Sequence, residues 1–241
     1  MQVTSNNNEL SFIDDISNAE AKALLYDWSV WARDNQRLPS GDWRVWLILA
    51  GRGFGKTRTG SEAVRELVSS GKYRYIALIG RTAADVRDVM VEGESGLLNC
   101  YPPDERPHYE PSKRRVTFAN GAIATTFSAD KPDQLRGYQS SLIWADELAA
   151  WQFPLAWDMA LFGLRLGSNP LAIATTTPRP TAIIRELLKH KHTHVTRGST
   201  LDNAQNLAPS ALDYLLDKYR GTRLGRQELY AEILDDVPGA L

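Results

Sequence analysis

Leu49-Ala50-Gly51-Arg52-Gly53-Phe54-Gly55-Lys56-Thr57 is the stretch that decides the fold. It follows Trp43 to Ala50, a mostly apolar run short enough for a buried strand, and it opens a segment from Lys56 to Ser70 that reads as a helix closed by Gly71. Glycines crowd a loop in that position because successive backbone N–H groups must turn toward an anion at the positive end of the helix. In such a loop Lys56 reaches the β- and γ-phosphates of a nucleotide, and the Thr57 hydroxyl ligates Mg²⁺. The usual pattern has glycine where this chain has Ala50, so the loop departs at its first residue, although Gly51 stands beside it. Gly51, Arg52, Gly53, Phe54, Gly55, Lys56 and Thr57 are the candidate nucleotide-binding residues, with ATP and Mg²⁺ as the implied ligands.

Working outward, Tyr75 to Ile79 reads as the next strand and Ala83 to Met90 as a helical stretch. The proline-rich segment Tyr101 to Pro111 is expected as a loop, and Arg115 to Phe127 as a hairpin turning at Asn120-Gly121. Ser141 to Ala145 and Leu171 to Thr175 are two further apolar strands that end in polar residues, as strands do at the ligand edge of an open α/β sheet. Upstream, Ala21, Leu24, Leu25, Trp28 and Trp31 fall at helical spacing between Asn18 and Asp34, and the turn Pro39-Ser40-Gly41-Asp42 separates them from the first strand. The last third carries helical patterns at Thr181 to His190, Pro209 to Tyr219 and Arg223 to Ile233, with one short strand around Val195.

A loop that cradles phosphates needs an acidic partner, and Leu142-Ile143-Trp144-Ala145-Asp146-Glu147 supplies two at a strand end. Asp146 is placed to hold the Mg²⁺ and Glu147 to accept a proton from an attacking water, which requires a carboxylate within hydrogen-bond reach. The second acid favours hydrolysis over nucleotide binding alone, because switches and small-molecule kinases often lack a built-in base.

Composition bounds the rest. At 241 residues, with 43% hydrophobic and 24% charged, the chain is an ordinary globular one that can bury a substantial core. A net charge of -1 argues against DNA wrapping over the whole surface, while leaving room for a local basic patch. The single Cys100 excludes an internal disulfide, and the polar start of the chain has no apolar signal-peptide core. No uninterrupted apolar run reaches membrane-spanning length, so no membrane partner is expected.

Together, the arginine-bearing loop Gly51 to Thr57, the strand ending in Asp146-Glu147, and Thr175-Thr176-Thr177-Pro178 some thirty residues later resemble the large terminase subunits of tailed bacteriophages and the related packaging proteins of gene-transfer agents. The resemblance runs from about Trp28 to Leu241. It implies an α/β P-loop NTPase of the ASCE type: a three-layer sandwich on a mainly parallel sheet, with an extra strand between the phosphate-loop strand and the acidic strand, plus a small, mostly helical lid. It also implies an ATPase core over residues 1–180, led by a loose polar stretch over 1–17, a lid and linker subdomain over 181–236, and over 237–241 the start of a linker to an absent nuclease domain.

Particular roles follow from the same resemblance. Arg52 contacts or senses the γ-phosphate, Arg136 resembles the finger that acts across a subunit interface, and Gln36 resembles the glutamine that reads adenine. Thr175, Thr176 and Thr177 couple hydrolysis to movement. The implied partners are double-stranded DNA, further copies in a ring on the portal, the portal protein and the small terminase subunit, in the host bacterial cytoplasm and not in the mature virion. A helicase-like remodeller and a non-enzymatic, nucleotide-dependent assembly module stay open as alternatives on this core. Nuclease activity is not expected, since after Thr177 no apolar strand ends in paired acids. His190, His192 and His194 read as surface residues, and Lys113-Arg114-Arg115 as a solvated hairpin entrance.

Overall fold

A computed structural model describes residues 16–234. The expected linker over 237–241, and all but the last two residues of the expected leader, lie outside the described residues. Eight strands form one sheet: β1 (Val45–Ala50), β2 (Tyr75–Gly80), β3 (His108–Glu110), β4 (Arg115–Thr117), β5 (Ile123–Ser128), β6 (Leu142–Asp146), β7 (Leu171–Thr176) and β8 (Thr193–Gly198). They lie side by side in the order β3-β4-β5-β2-β6-β7-β1-β8, parallel throughout except that β4 runs against both β3 and β5. β7 thus separates β1 from β6, as the resemblance implies.

Central parallel strands are covered on both faces, which is why β1, β6 and β7 are buried along their whole length and read as unbroken apolar runs. The first face packs under α3 (Lys56–Ser69), where Ala63, Val64, Leu67 and Val68 meet Ile48, Trp46 and Trp144. The second face packs under α5 (Leu155–Gly163) and α6 (Ala182–Lys189), around Leu47, Leu49, Ile143 and Ala174. Both buried indoles satisfy their N–H on threonines of the adjacent strand: Trp46 donates to Thr196 Oγ1 of β8 at 2.8 Å and Trp144 to Thr175 Oγ1 of β7 at 3.2 Å.

The hairpin forms as the Asn-Gly signal predicts. Gly121 takes φ +79°, and the Asn120 side chain accepts the Ala122 N–H at 3.1 Å. Other expectations need correcting. The N-terminal helix is two pieces, α1 (Asn18–Tyr26) and α2 (Trp28–Trp31), because Asp27 turns out of the helix and accepts the Ser29 N–H at 2.9 Å as a new cap. Neither piece buries a residue, and Leu25 and Trp31 stay exposed. The helical stretch after β2 is a short turn, α4 (Ala83–Asp85), continued by a π-helical segment over Val86–Val91. The proline-rich segment contributes β3, which completes its pairing only against β4. α5 has no amphipathic signature, since apolar side chains surround it on all sides, from buried Trp157 to exposed Phe162.

The C-terminal third enters the sheet layer before it turns helical: β8 pairs with β1 over six residues, Val45 to Ala50 against Thr193 to Gly198. Beyond it, a 3-10 segment (Thr200–Asn206), α7 (Pro209–Tyr219) and α8 (Arg223–Glu228) make up the helical remainder.

Candidate active site

The loops after β1, β6 and β7 meet at the carboxyl edge of the sheet, where open parallel sheets take their ligands. Gly55 caps α3 at φ +96°, a conformation that a side chain resists, and so aims the first N–H groups of the helix into the space above the loop. Ala50 fits because it is the last residue of β1, in regular pairing with Gly198, with no positive φ that would demand glycine. A cavity of about 1560 Å³ opens there, walled by Gly53, Gly55, Lys56, Thr57, Asp146, Glu147 and Thr177.

The three strand ends are already wired together. The buried Lys56 ammonium donates to the carbonyls of Ala50 (3.1 Å) and Gly51 (3.2 Å) and to Thr177 Oγ1 (3.2 Å), and stands 3.5 Å from Glu147 Oε1. The Thr177 N–H donates to Glu147 Oε2 at 3.1 Å. Thr175 donates its hydroxyl to Asp146 Oδ1 at 2.5 Å, and Thr176 Oγ1 accepts the Ala149 N–H at 3.0 Å. Each threonine of the triplet therefore holds one part of the acidic segment. Glu147 itself sits at φ 50°, ψ 45°, a left-handed conformation that is strained for a side chain of this length and recurs at functional sites.

Burial pushes the Asp146 carboxyl up to about 7; adjacent Glu147 adds to the rise, while the Thr175 hydroxyl and Lys56 oppose it. A buried acid so poorly compensated by protein groups suits a cation. With the Thr57 hydroxyl it fits a Mg²⁺ ion, which takes one or two protein oxygens and fills its octahedron with phosphate and water. Among the described residues no group of three or more His, Cys, Asp and Glu side chains forms an all-protein cage.

Gln36 is buried against the loop, donating to Thr59 Oγ1 at 3.0 Å and accepting the Arg33 N–H at 3.2 Å. Arg52 lies on the cavity wall, but its side chain is 83% exposed and pairs with Glu228 at 3.7 Å. Arg136 is not brought to the cavity. It sits on a loop, 63% exposed, paired with Asp133 at 2.8 Å.

Several cavity residues escape sequence reasoning. Arg33 donates to the Phe54 carbonyl (2.6 Å) and to Asn203 (2.6 Å), and its guanidinium lies 4.8 Å from the centre of the Phe54 ring. Asn203 donates to the Gly53 carbonyl at 2.8 Å and Thr200 to that of Arg52 at 2.6 Å, so the phosphate loop is strapped from both ends of the chain. No local signal marks these groups, which are separated from the loop by up to 150 positions. Trp28 and Trp31, whose spacing in the sequence suits packing in a core or an adenine pocket, line the cavity too, with the Arg58 guanidinium 5.7 Å from the centre of the Trp28 ring.

A family described as terminase large subunit, T4likevirus-type, N-terminal, matches residues 47–241. No curated protein sequence matches the chain. Among solved structures, the ATPase domain of the Thermus phage P74-26 large terminase superposes with a TM-score of 0.67 at 18% identity, over 90% of this chain and 98% of that one. The large terminase of another thermophilic bacteriophage, in complex with ADP, gives 0.65 at 14% identity, over 88% of this chain and 52% of that one. The HK97 bacteriophage large terminase gives 0.57 at 18%, over 89% and 50%. The chain spans about half the length of the latter two. At these identities the likeness establishes the fold.

Proposed function

The chain belongs to the family of T4likevirus-type large terminase subunits, of which it carries the N-terminal part, and from that membership we propose that it is an ATP-hydrolysing motor domain that drives double-stranded DNA into a viral procapsid. The observation that carries the proposal is the convergence of Lys56, Glu147 and Thr177 within 3.5 Å of one another, beside buried Asp146, under a helix N-terminus. The ADP-bound state of one structural neighbour supports a nucleotide in this place.

In this reading the triphosphate lies along the N–H groups of Gly53 to Thr57, and Lys56 leaves its carbonyl partners for the β- and γ-oxygens. Thr57 and Asp146 would hold Mg²⁺, which when bound would supply neutralisation of charge developing on the phosphates. Glu147, released from Lys56, takes a proton from the attacking water. Arg52 contacts the γ-phosphate and Gln36 the adenine, while Thr175, Thr176 and Thr177 exchange partners after hydrolysis and carry that change into the acidic segment. Arg136 serves a neighbouring copy's cavity in a homo-oligomeric ring on the portal, alongside the small terminase subunit, in the host cytoplasm.

The test is turnover against binding. Glu147→Gln preserves the length of the side chain but removes the base, so ATP binding persists while kcat falls on the order of 10²–10⁴-fold. A variant that hydrolyses ATP at the parental rate overturns the base assignment; a parental chain that binds no ATP overturns the whole reading.

A further inference from the structure

All the chemistry described so far gathers at the carboxyl edge of the sheet, and the opposite edge has a composition of its own. The segments that enter the parallel strands there are residues 39–44 before β1, 70–74 before β2, 118–122 before β5, 137–141 before β6, 164–170 before β7 and 189–192, from the last residue of α6, before β8. They carry Arg44, Lys72, Arg74, Arg165, Lys189 and Lys191, against the single carboxylate of Asp42, in a chain whose net charge is -1. All six cations are exposed, and among the described residues none takes part in an ion pair. Asp42 has its own neighbour in His192, at 4.0 Å.

These loops are contiguous in space. The Arg44 N–H donates to the His192 carbonyl at 2.8 Å, and the Ala172 N–H to the Arg44 carbonyl at 2.9 Å. Tyr73, between Lys72 and Arg74, donates its hydroxyl to the Asn169 carbonyl at 3.1 Å. The Arg165 N–H donates to the Ser140 carbonyl at 3.1 Å. From β2 across β6, β7 and β1 to β8 there are four interstrand spacings, so the cations are spread over about 19 Å. A duplex presents about eleven phosphate charges over that length, at one per roughly 1.7 Å of axis.

We propose that this amino-terminal edge of the sheet is a docking surface for the phosphate backbone of double-stranded DNA, read without sequence preference. The proposal rests on the motor reading and adds to it the face that meets the polymer. A row of exposed Lys and Arg without ion pairs among the described residues, on a protein that is net negative elsewhere, is the electrostatic footprint of a polyanion partner. Strands of six residues place this edge about 20 Å from the phosphate loop, so DNA and nucleotide occupy opposite ends of the same strands. A displacement of β7 or β1 at one end is thereby conveyed rigidly to the other.

The experiment is fluorescence anisotropy of a short labelled duplex with the purified chain, titrated between about 50 and 200 mM salt. The proteins compared are the parental chain, Lys72→Gln with Arg74→Gln, Lys189→Gln with Lys191→Gln, and Lys189→Glu with Lys191→Glu. Thermal melts and basal ATP turnover accompany each, and since none of the four residues lies at the cavity, both are expected to stay at parental values. The parental chain should bind with a steep salt dependence. Each Gln pair should weaken binding about tenfold and flatten the log–log salt slope by about 1.8, the share of two lost contacts. The Glu pair should abolish binding.

Unchanged duplex affinity in folded, ATP-hydrolysing Gln and Glu variants overturns the surface while leaving the motor reading intact, and means that these cations only balance the carboxyl ends of α3, α5 and α6. Polyglutamate competing as well as duplex overturns it in favour of an acidic protein partner. A parental chain that binds duplex but hydrolyses no ATP strikes at the motor reading instead.

Discussion

Asp146 is a carboxylate that the fold places where it is electrostatically uncomfortable. Its folded pKa, about 7, lies above the ordinary 3.8, so the folded protein holds the proton more tightly than the unfolded chain does. The contribution to stability is therefore fully present below about pH 4 and is lost progressively as pH rises to about 7, a difference on the order of 4 kcal/mol. Asp146→Asn keeps an oxygen for the Thr175 hydroxyl and removes the charge. Without nucleotide or Mg²⁺, the variant should melt several degrees higher than the parent at pH 8, with the gap closing as pH falls through 6 to 5. Adding Mg²⁺ and ATP at pH 8 should reverse the order, because only the parent offers an anionic ligand. An Asn variant that melts lower than the parent at pH 8 without ligand refutes the claim of an uncompensated buried charge. At this scale the sequence was informative: Lys56 and Thr57 were legible from the glycine loop that opens a helix and Asp146 and Glu147 from strand-end position, whereas the strained backbone of Glu147 and the partners of Arg33 depend on groups far away in the chain.

At the scale of elements, the phosphate loop is positioned by how closely α3 and β8 approach their neighbours. A Cβ at Gly60 would come within 2.4 Å of the Trp144 indole, so this helical glycine is what lets α3 lie on β6. Ala raises helix propensity by about 1 kcal/mol, but overpacking against a rigid buried ring costs about 1–3 kcal/mol, and the second effect wins. Gly60→Ala should thus lower the unfolding free energy in urea, and a stabilised variant would show that the helix has room to shift. A Cβ at Gly198 would come 2.1 Å from the Phe54 ring, which is fully buried inside the phosphate loop. Gly198→Ala should expel Phe54 and weaken ATP binding at least tenfold, measured by calorimetry, with a smaller loss of global stability; unaltered affinity would mean that the loop does not depend on β8. Period and turn chemistry predicted most strands and the hairpin, but not α5, whose apolar residues surround it, nor β3, which pairs only once β4 is formed.

On the scale of the whole molecule, the arrangement leaves one expected participant outside the site. Arg136 is on the surface, paired with Asp133 among the described residues, and the 3-10 segment just before it (Pro132–Leu135) packs on α5 rather than at the cavity. An exposed pair of this kind contributes well under 1 kcal/mol to folding. Under the motor reading, Arg136→Ala should leave both the melting temperature and the basal ATP turnover of the dilute chain unchanged. In an assembled motor it should lose activity by on the order of 10³-fold, the scale on which a cation supplied in trans acts. Full activity of the variant in assembled motors removes the trans role, and lost activity in the dilute chain would place Arg136 in its own cavity.

Local signals were legible without the fold: a glycine loop between an apolar run and a helix, an acid pair at a strand end, a threonine triplet, and the periods of most elements. Those signals survive because backbone hydrogen bonding, side-chain period and phosphate geometry act over a few residues. Tertiary structure alone decided that β8 lies beside β1, that Asn203, Thr200 and Arg33 strap the loop, and that six cations gather along the far edge. Such contacts join positions that are distant in the chain, and they are fixed only when burial of both sheet faces selects one packing among many.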